Sequence, residues 1–334
     1  MKLATQTAVA AALALTCGGY ATGASAANIC FAFQDLETEF WIAGHKAITT
    51  TLTEAGHTVI ERNANEDANK QLEQVKDCIA QGVDGIIVIP QDGESAVTIV
   101  NEAQAADTPI AIFNRPPSDL SKGIIVVADN ATIAEAATDY VVEEALAMAP
   151  ADAKLNALII VGDLGDPNAV GRKDGFYAAI EKHKDRFTVT EVASEWDAAT
   201  ALANLEAAVT ANPKIDVMFT SSDFLFPTIR SVLEPRGMWK KSGEEGHVPL
   251  AGLDGDATAC KLIKEGFVSA TGVQDLYFEA ESALTAILKA VEDKNAQPNE
   301  VIQDPGFALT QANLATREMD MWGCVLLGEG FLDK

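Results

Sequence analysis

The sequence predicts an α/β protein in which two successive strand–helix series build parallel sheets. Three observations carry that prediction. Apolar runs such as 85–90 (GIIVIP) and 110–113 (IAIF) lack the alternation of a half-solvated strand and read as strands covered on both faces. Segments of about a dozen residues with helical spacing separate such runs, the mark of right-handed βαβ units. After Pro150, Ala151 and Asp152 the whole pattern begins again.

Taken in order, 28–33 is a short apolar strand, and a helix over 40–55 closes at Gly56. A strand over 58–62 precedes a helix over 67–81, where Leu72, Val75 and Ile79 share one face and Gly82 ends the run. The strand 85–90, a helix over 95–106 and the strand 110–113 follow. Pro116 and Pro117 stop that last strand just past Asn114 and Arg115. A fifth strand spans 124–127, and a long Ala-rich helix spans 132–149. The second series has strands over 157–161, 187–193, 217–220, 249–253 and 268–273. Its helices run from the loop 162–168 to about Lys184, then over 198–211, 227–236 and 258–265, with a last helix over 279–292. Val301 and Ile302 and the tail after Gly306 complete the chain. The stretch 240–247 is polar and reads as an exposed loop. No low-complexity linker separates the halves, so any boundary consists of short crossings near Asp129 and near Gln274.

The 334 residues suit one to three domains, and 48% hydrophobic with 22% charged residues suits a packed globular protein. A formal charge of −25 argues against nucleic acid or an anionic membrane as partner, since both need basic patches. Residues 1–26 read as a secretory signal. Lys2 is the basic region, 8–15 the apolar run, and Ala24-Ser25-Ala26 the cleavage site. Its removal takes Lys2 and moves the charge from −25 to −26. Lipidation at Cys17 is the competing reading of this leader.

Four cysteines remain after cleavage: Cys30, Cys78, Cys260 and Cys324. An exported chain permits disulfides, with three connectivities. Cys30 starts the first strand and Cys78 lies on a helix expected to pack nearby, while Cys260 and Cys324 share the later half. That favours Cys30–Cys78 and Cys260–Cys324, with buried free thiols as the alternative. No CxxC is present and the four His are scattered, so no metal site is expected.

In open α/β sheets, ligands bind at the carboxyl ends of the strands. Residues just beyond those ends include Thr38 with Phe40 and Trp41, Asn114 and Arg115, then Asp166, Asn168 and Arg172 ahead of Gly175 and Phe176. Trp196, Ser222, Asp254 and Gln274 follow. The set mixes amides, guanidinium groups, carboxylates and large aromatic rings. A neutral, hydroxyl-rich ligand needs that mixture: each hydroxyl both donates and accepts, charged partners strengthen those bonds, and aromatic faces cover C–H surfaces. Each residue also has a purely structural reading. Phe40 and Trp41 suit a core, Asp254 a helix cap, Arg172 a bridge to Asp174 or Glu181, and Arg115 a surface ion pair.

As a set, these motifs resemble the periplasmic sugar-binding proteins of the ribose/galactose type, the receptors of ABC importers. The resemblance rests on Phe40-Trp41, Asn114-Arg115, Arg172 before Gly175-Phe176, Ser222-Asp223, Gly252-Leu253-Asp254-Gly255, Ala270-Thr271 leading to Gln274, and 308–314 (ALTQANL). It implies a type I periplasmic binding protein, with two Rossmann-like lobes joined by three crossings. The lobes would comprise 27–128 with 275–303, and 129–274 with 304–334. It also implies an interlobe cleft in which Phe40 or Trp41 and Trp196 sandwich a sugar. Asn114, Arg115, Arg172, Asp254 and Gln274 would hold hydroxyls there, and Asp166 and Asn168 add polar contacts. Asn114 stands where ribose receptors have Asp, and Ser222 where Asn is usual, so the pocket differs in shape. No counterpart of the calcium loop of galactose receptors is evident.

The function expected is capture of a monosaccharide or polyol by hinge closure and delivery to a membrane permease by a monomeric chain without a cofactor. The alternative is a sensory ligand carrier. No GxSxG, Walker A, HExxH or correctly placed GxGxxG motif supports an enzyme. No helix-turn-helix precedes the first strand, which argues against a repressor of related fold.

Overall fold

The computed structural model describes residues 26–293 and 298–333. The leader expected over 1–26 lies outside them but for its last residue, as does Cys17. Twelve strands among the described residues form two six-stranded sheets. The first sheet contains β1 (Asn28–Phe33), β2 (Thr58–Asn63), β3 (Gly85–Val88), β4 (Ile110–Phe113), β5 (Ile124–Ala128) and β11 (Glu300–Asp304), in the order β11-β5-β4-β3-β1-β2. The second contains β6 (Leu155–Val161), β7 (Phe187–Ala193), β8 (Val217–Thr220), β9 (Leu250–Asp254), β10 (Ala270–Val273) and β12 (Phe307–Thr310), in the order β12-β10-β9-β8-β6-β7. Every pairing is parallel except β10 with β12, where Ala270 faces Thr310 and Val273 faces Phe307.

The apolar runs form the central strands because helices cover both faces. In the first sheet Ile86, Val88, Ile110 and Ile112 pack with Val75 of α2 (Ala68–Ala80) and Ile99 of α3 (Gly93–Ala105). Their neighbours Ile87, Ala111 and Phe113 face the other way, toward α1 (Glu39–Glu54) and α9 (Leu276–Glu292). The second sheet repeats the scheme. Ile159, Phe219 and Leu253 meet α4 (Asn130–Met148) and α5 (Pro167–Glu181). Leu158, Met218 and Leu250 join a core shared with α6 (Ala198–Ala211), α7 (Phe226–Leu233) and α8 (Ala257–Glu265). The tail adds α10 (Leu314–Arg317) and α11 (Trp322–Gly328). Strands inside a parallel sheet are apolar at every position because successive side chains enter two different cores.

Among the described residues six helices start at an Asp whose side chain accepts a backbone N–H of the first turn: Asp67, Asp92, Asp129, Asp166, Asp197 and Asp275. Part of the acidity is therefore spent on capping orphan amides and complementing helix dipoles. Thr38 does the same for α1 through Trp41 N–H, 3.3 Å.

The chain changes sheet three times: after β5, after β10 and between β11 and β12. Asp304 ties these crossings together. Its carboxylate accepts from Asp275 N–H at 2.6 Å and Gly306 N–H at 2.9 Å, and its carbonyl accepts from Asp129 N–H at 2.9 Å.

Disulfides join Cys30 of β1 to Cys78 of α2 and Cys260 of α8 to Cys324 of α11. The structure corrects some boundaries. Helix α5 begins at Pro167, so Asn168 lies in its first turn and not in a loop. Helix α11 had no counterpart in the sequence reading. In the loop 240–247, His247 is buried, its Nδ1 2.8 Å from Lys240 O.

Candidate functional site

A cavity of about 600 Å³ opens between the carboxyl ends of the two sheets. All twelve candidate residues line it: Thr38, Phe40, Trp41, Asn114, Arg115, Asp166, Asn168, Arg172, Trp196, Ser222, Asp254 and Gln274. Eight sit at a strand end or in the loop that follows, and Phe40, Trp41, Asn168 and Arg172 lie in the first two turns of α1 and α5, because parallel strands all point their carboxyl ends the same way.

Six side chains, five of them lining the cavity, close a ring of hydrogen bonds. Arg172 Nε donates to Asn130 Oδ1, 2.7 Å; Asn130 Nδ2 donates to Asn168 Oδ1, 3.0 Å; Asn168 Nδ2 donates to Asn114 Oδ1, 3.2 Å. Asn114 Nδ2 donates to Gln274 Oε1, 2.6 Å, and Gln274 Nε2 donates to Asp254 Oδ1, 3.2 Å. Arg172 Nη1 returns to Asp254 Oδ1 at 2.9 Å. Every amide therefore passes its donor to the next acceptor, from guanidinium to carboxylate. Asn114 joins the first sheet to the second within this ring. It holds φ +65, a conformation Asn tolerates better than most side chains.

Both arginines are committed to carboxylates. Arg115, projecting from the end of β4, forms an ion pair with Asp166 at 2.7 Å, and its Nη1 donates to Pro90 O and Gln91 O. Its partner is thus the α5 cap of the opposite lobe, rather than a surface carboxylate. Arg172 pairs with Asp254 and not with Asp174 or Glu181. The guanidinium carbons lie 5.5 Å from the Trp41 ring centre and 5.6 Å from that of Trp196, so each arginine stacks near one aromatic wall. Trp196 Nε1 donates to Asp166 Oδ2 at 3.2 Å, which fixes that ring. Phe40 meets Trp41 edge to face at 4.9 Å.

Under Asp254 lies a second carboxylate, Asp223, which accepts from Gly255 N–H at 2.8 Å, Asp256 N–H at 3.2 Å and Thr271 Oγ1 at 2.8 Å. Gly252 makes room for it, since a Cβ there would sit 2.1 Å from Asp223 Oδ1. Burial and the charge of Asp254 push Asp223 up to about 8. Burial also raises Asp254, against the opposing pull of Arg172 and of Ser222, whose Oγ donates to it. Asp256 and Glu279 are raised well above the usual carboxylate range, again by burial first. Asp254 itself has φ +139, a strained backbone held by Trp322 Nε1 donating to its carbonyl at 3.1 Å.

The sequence reading missed Asn130, Gln34, Gln91, Phe224 and Glu279. Asn130, Gln34 and Gln91 follow β5, β1 and β3, so the rule that found Asn114 would have found them. Glu279 sits inside α9 and carries no such signal; only the fold brings it 2.9 Å from Asn114 Nδ2.

Residues 29–295 match the model of the periplasmic binding protein domain. The chain belongs to the periplasmic binding protein family. It is a binding protein and not an enzyme. The chain is 25% identical over 282 residues to a D-xylose-binding periplasmic protein of Escherichia coli, covering 83% of this chain and 81% of that one. It is 26% identical over 243 residues to a ribose import binding protein of Bacillus subtilis, covering 72% and 73%. A solved ABC transporter solute-binding protein of Bacillus halodurans, with bound myo-inositol, is 26% identical. It superposes with a TM-score of 0.74 over 89% of this chain and 98% of that one. The two-lobed architecture is that of the type I periplasmic binding proteins. Among the described residues no helix is long and apolar enough to cross a membrane.

Proposed function

We propose that this periplasmic binding protein captures a monosaccharide or polyol in the interlobe cavity and delivers it to the permease of an ABC importer. The observation that carries the reading is the lining. Two tryptophans, Trp41 and Trp196, flank a floor of interlocked amides, guanidinium groups and carboxylates drawn from both lobes. Aromatic walls match the C–H faces of a ring or polyol chain, and fixed polar groups match its hydroxyls. The named ligands of the relatives, xylose, ribose and myo-inositol, support the same class.

On this reading residues 1–26 are removed on export and the mature chain acts as a monomer. One lobe comprises 27–128 and 275–303, the other 129–274 and 304–334, and the three crossings serve as the hinge. Contacts from both lobes to one ligand stabilise the closed state. Titration calorimetry across aldoses, pentoses, cyclitols and linear polyols is the test. Saturable heat with at least one member is expected; no heat and no thermal shift with any member would sink the reading.

A further inference from the structure

Glu279 lies in the first turns of α9 and is 0% exposed, on a buried face otherwise made of Leu276, Ala280, Ala283, Leu284 and Ile287. Among the described residues its carboxyl makes one hydrogen bond, Oε2 accepting from Asn114 Nδ2 at 2.9 Å, and its Oε1 has no partner. A carboxyl withdrawn from water and held by a single bond destabilises a fold, and an apolar side chain of similar size would suit this helix face better. Burial pushes Glu279 well above the usual carboxylate range, with Asp304 and Asp275 adding to the shift and Asn114 and Arg172 opposing it. The reason for an acid at this position lies in what it touches.

Asn114 ends β4 and is the first sheet's member of the amide ring. Its side-chain nitrogen has two protons. One goes to Gln274 Oε1 at 2.6 Å and the other to Glu279 Oε2. Its Oδ1 accepts from Asn168 Nδ2 at 3.2 Å and keeps a second lone pair. Any hydrogen bond from this side chain to a ligand therefore uses the oxygen. Gln274 follows β10 and Asn168 lies in α5, so both belong to the second sheet and its helices. Glu279 stands on α9, which packs with Phe113 against the first sheet. Of the three side chains bonded to the Asn114 amide, Glu279 alone comes from the same lobe as Asn114.

We propose that Glu279 is a positioning residue for ligand capture: from outside the cavity it holds the Asn114 amide in its ring orientation before the lobes meet, and leaves Oδ1 as the group offered to a ligand hydroxyl. This step rests on the sugar-type reading above. When the lobes part, Asn114 loses Gln274 and Asn168 and keeps Glu279. Without the acid the amide turns freely in the parted lobes, and ordering it on closure lowers affinity. One of its N–H groups is also left without a partner in the closed cleft.

The test is calorimetry with D-glucose, D-galactose, D-ribose, D-xylose, xylitol, sorbitol and myo-inositol. With the tightest binder of these, Glu279→Leu is expected to weaken binding about tenfold, the effect of one hydrogen bond left unmade. Glu279→Gln keeps an uncharged acceptor of the same shape and should bind within about threefold of the wild type. In an Asn114→Ala background Glu279→Leu should add less than about twofold, because the group it positions is gone. The ligand-free Glu279→Leu protein should melt within a few degrees of the wild type. Four results overturn the proposal: unchanged affinity in Glu279→Leu, an equal loss in Glu279→Gln, a loss that persists undiminished in the Asn114→Ala background, or a Glu279→Leu protein that does not fold, which assigns the acid to the fold. Each leaves the sugar reading standing. No binding of any of these compounds by the wild-type protein overturns both.

Discussion

Arg172 shows what a single residue contributes here. Its guanidinium spans Asp254, Asn130 and Ser221 O, so one side chain closes the amide ring and neutralises a buried acid. Truncation takes away the cation paired with Asp254 and leaves this buried carboxyl with Ser222, Gln274 and the Asp223 N–H as partners. Arg172→Ala is expected to cost about 3–5 kcal/mol of stability in urea denaturation, together with the loss of ligand binding. A stability change below about 1 kcal/mol would show that water replaces the guanidinium without penalty. The Asp223 carboxyl sets a pH dependence. Its folded-state pKa of about 8 lies above the unfolded value near 3.8. Between these values the folded chain therefore binds more protons than the unfolded one, and stability falls as pH rises through the window. Asp254, Asp256 and Glu279 shift in the same direction. Thermal midpoints should drop from pH 5 to pH 8, and Asp223→Asn should flatten that slope. A steeper slope in the variant would reverse the assignment.

Pairs of elements carry what single residues do not. Gly175 of α5 lies so close to α4 that a Cβ would sit 2.2 Å from Ala131 O, which is why Arg172, one turn earlier, reaches Asn130. Between the lobes, Glu39 at the start of α1 accepts from Thr258 N–H at 3.2 Å and from Thr258 Oγ1, at the start of α8. The α8 cap residue Asp256 makes no side-chain capping bond of its own. A carboxylate of one lobe thus caps a helix of the other, a bond available only when the lobes are together. Glu39→Ala should weaken ligand binding about three- to tenfold while every lining residue stays in place. An unchanged dissociation constant would remove Glu39 from the closure.

At the scale of the whole molecule, each disulfide lies within one lobe, closing sequence separations of 48 and 64 residues. Neither restrains the crossings. Replacing either pair by Ser is expected to cost about 2–5 kcal/mol of stability. Ligand affinity measured well below the melting temperature should stay within about twofold, a change of only a few tenths of a kcal/mol. A large loss of affinity in a folded variant would mean that a disulfide shapes the cleft.

The sequence by itself determined the central strands, their helices and the strand-end residues. An uninterrupted apolar run such as Ile110–Phe113 has one stable fate, burial on both faces, and the chain must leave that burial at a polar residue. Asn114 and Arg115 were legible for that reason. What Arg115 touches was not. Its partner Asp166 is 51 positions away in the chain, on the other lobe, and no local pattern encodes that encounter. The amide ring, the acid pair beneath it and the cap that Glu39 lends to α8 all depend on how two sheets face each other. Periodicity records which side of an element is apolar. It holds no record of which polar ends meet, because that is decided by the packing of surfaces distant in sequence, and only the tertiary structure supplies it.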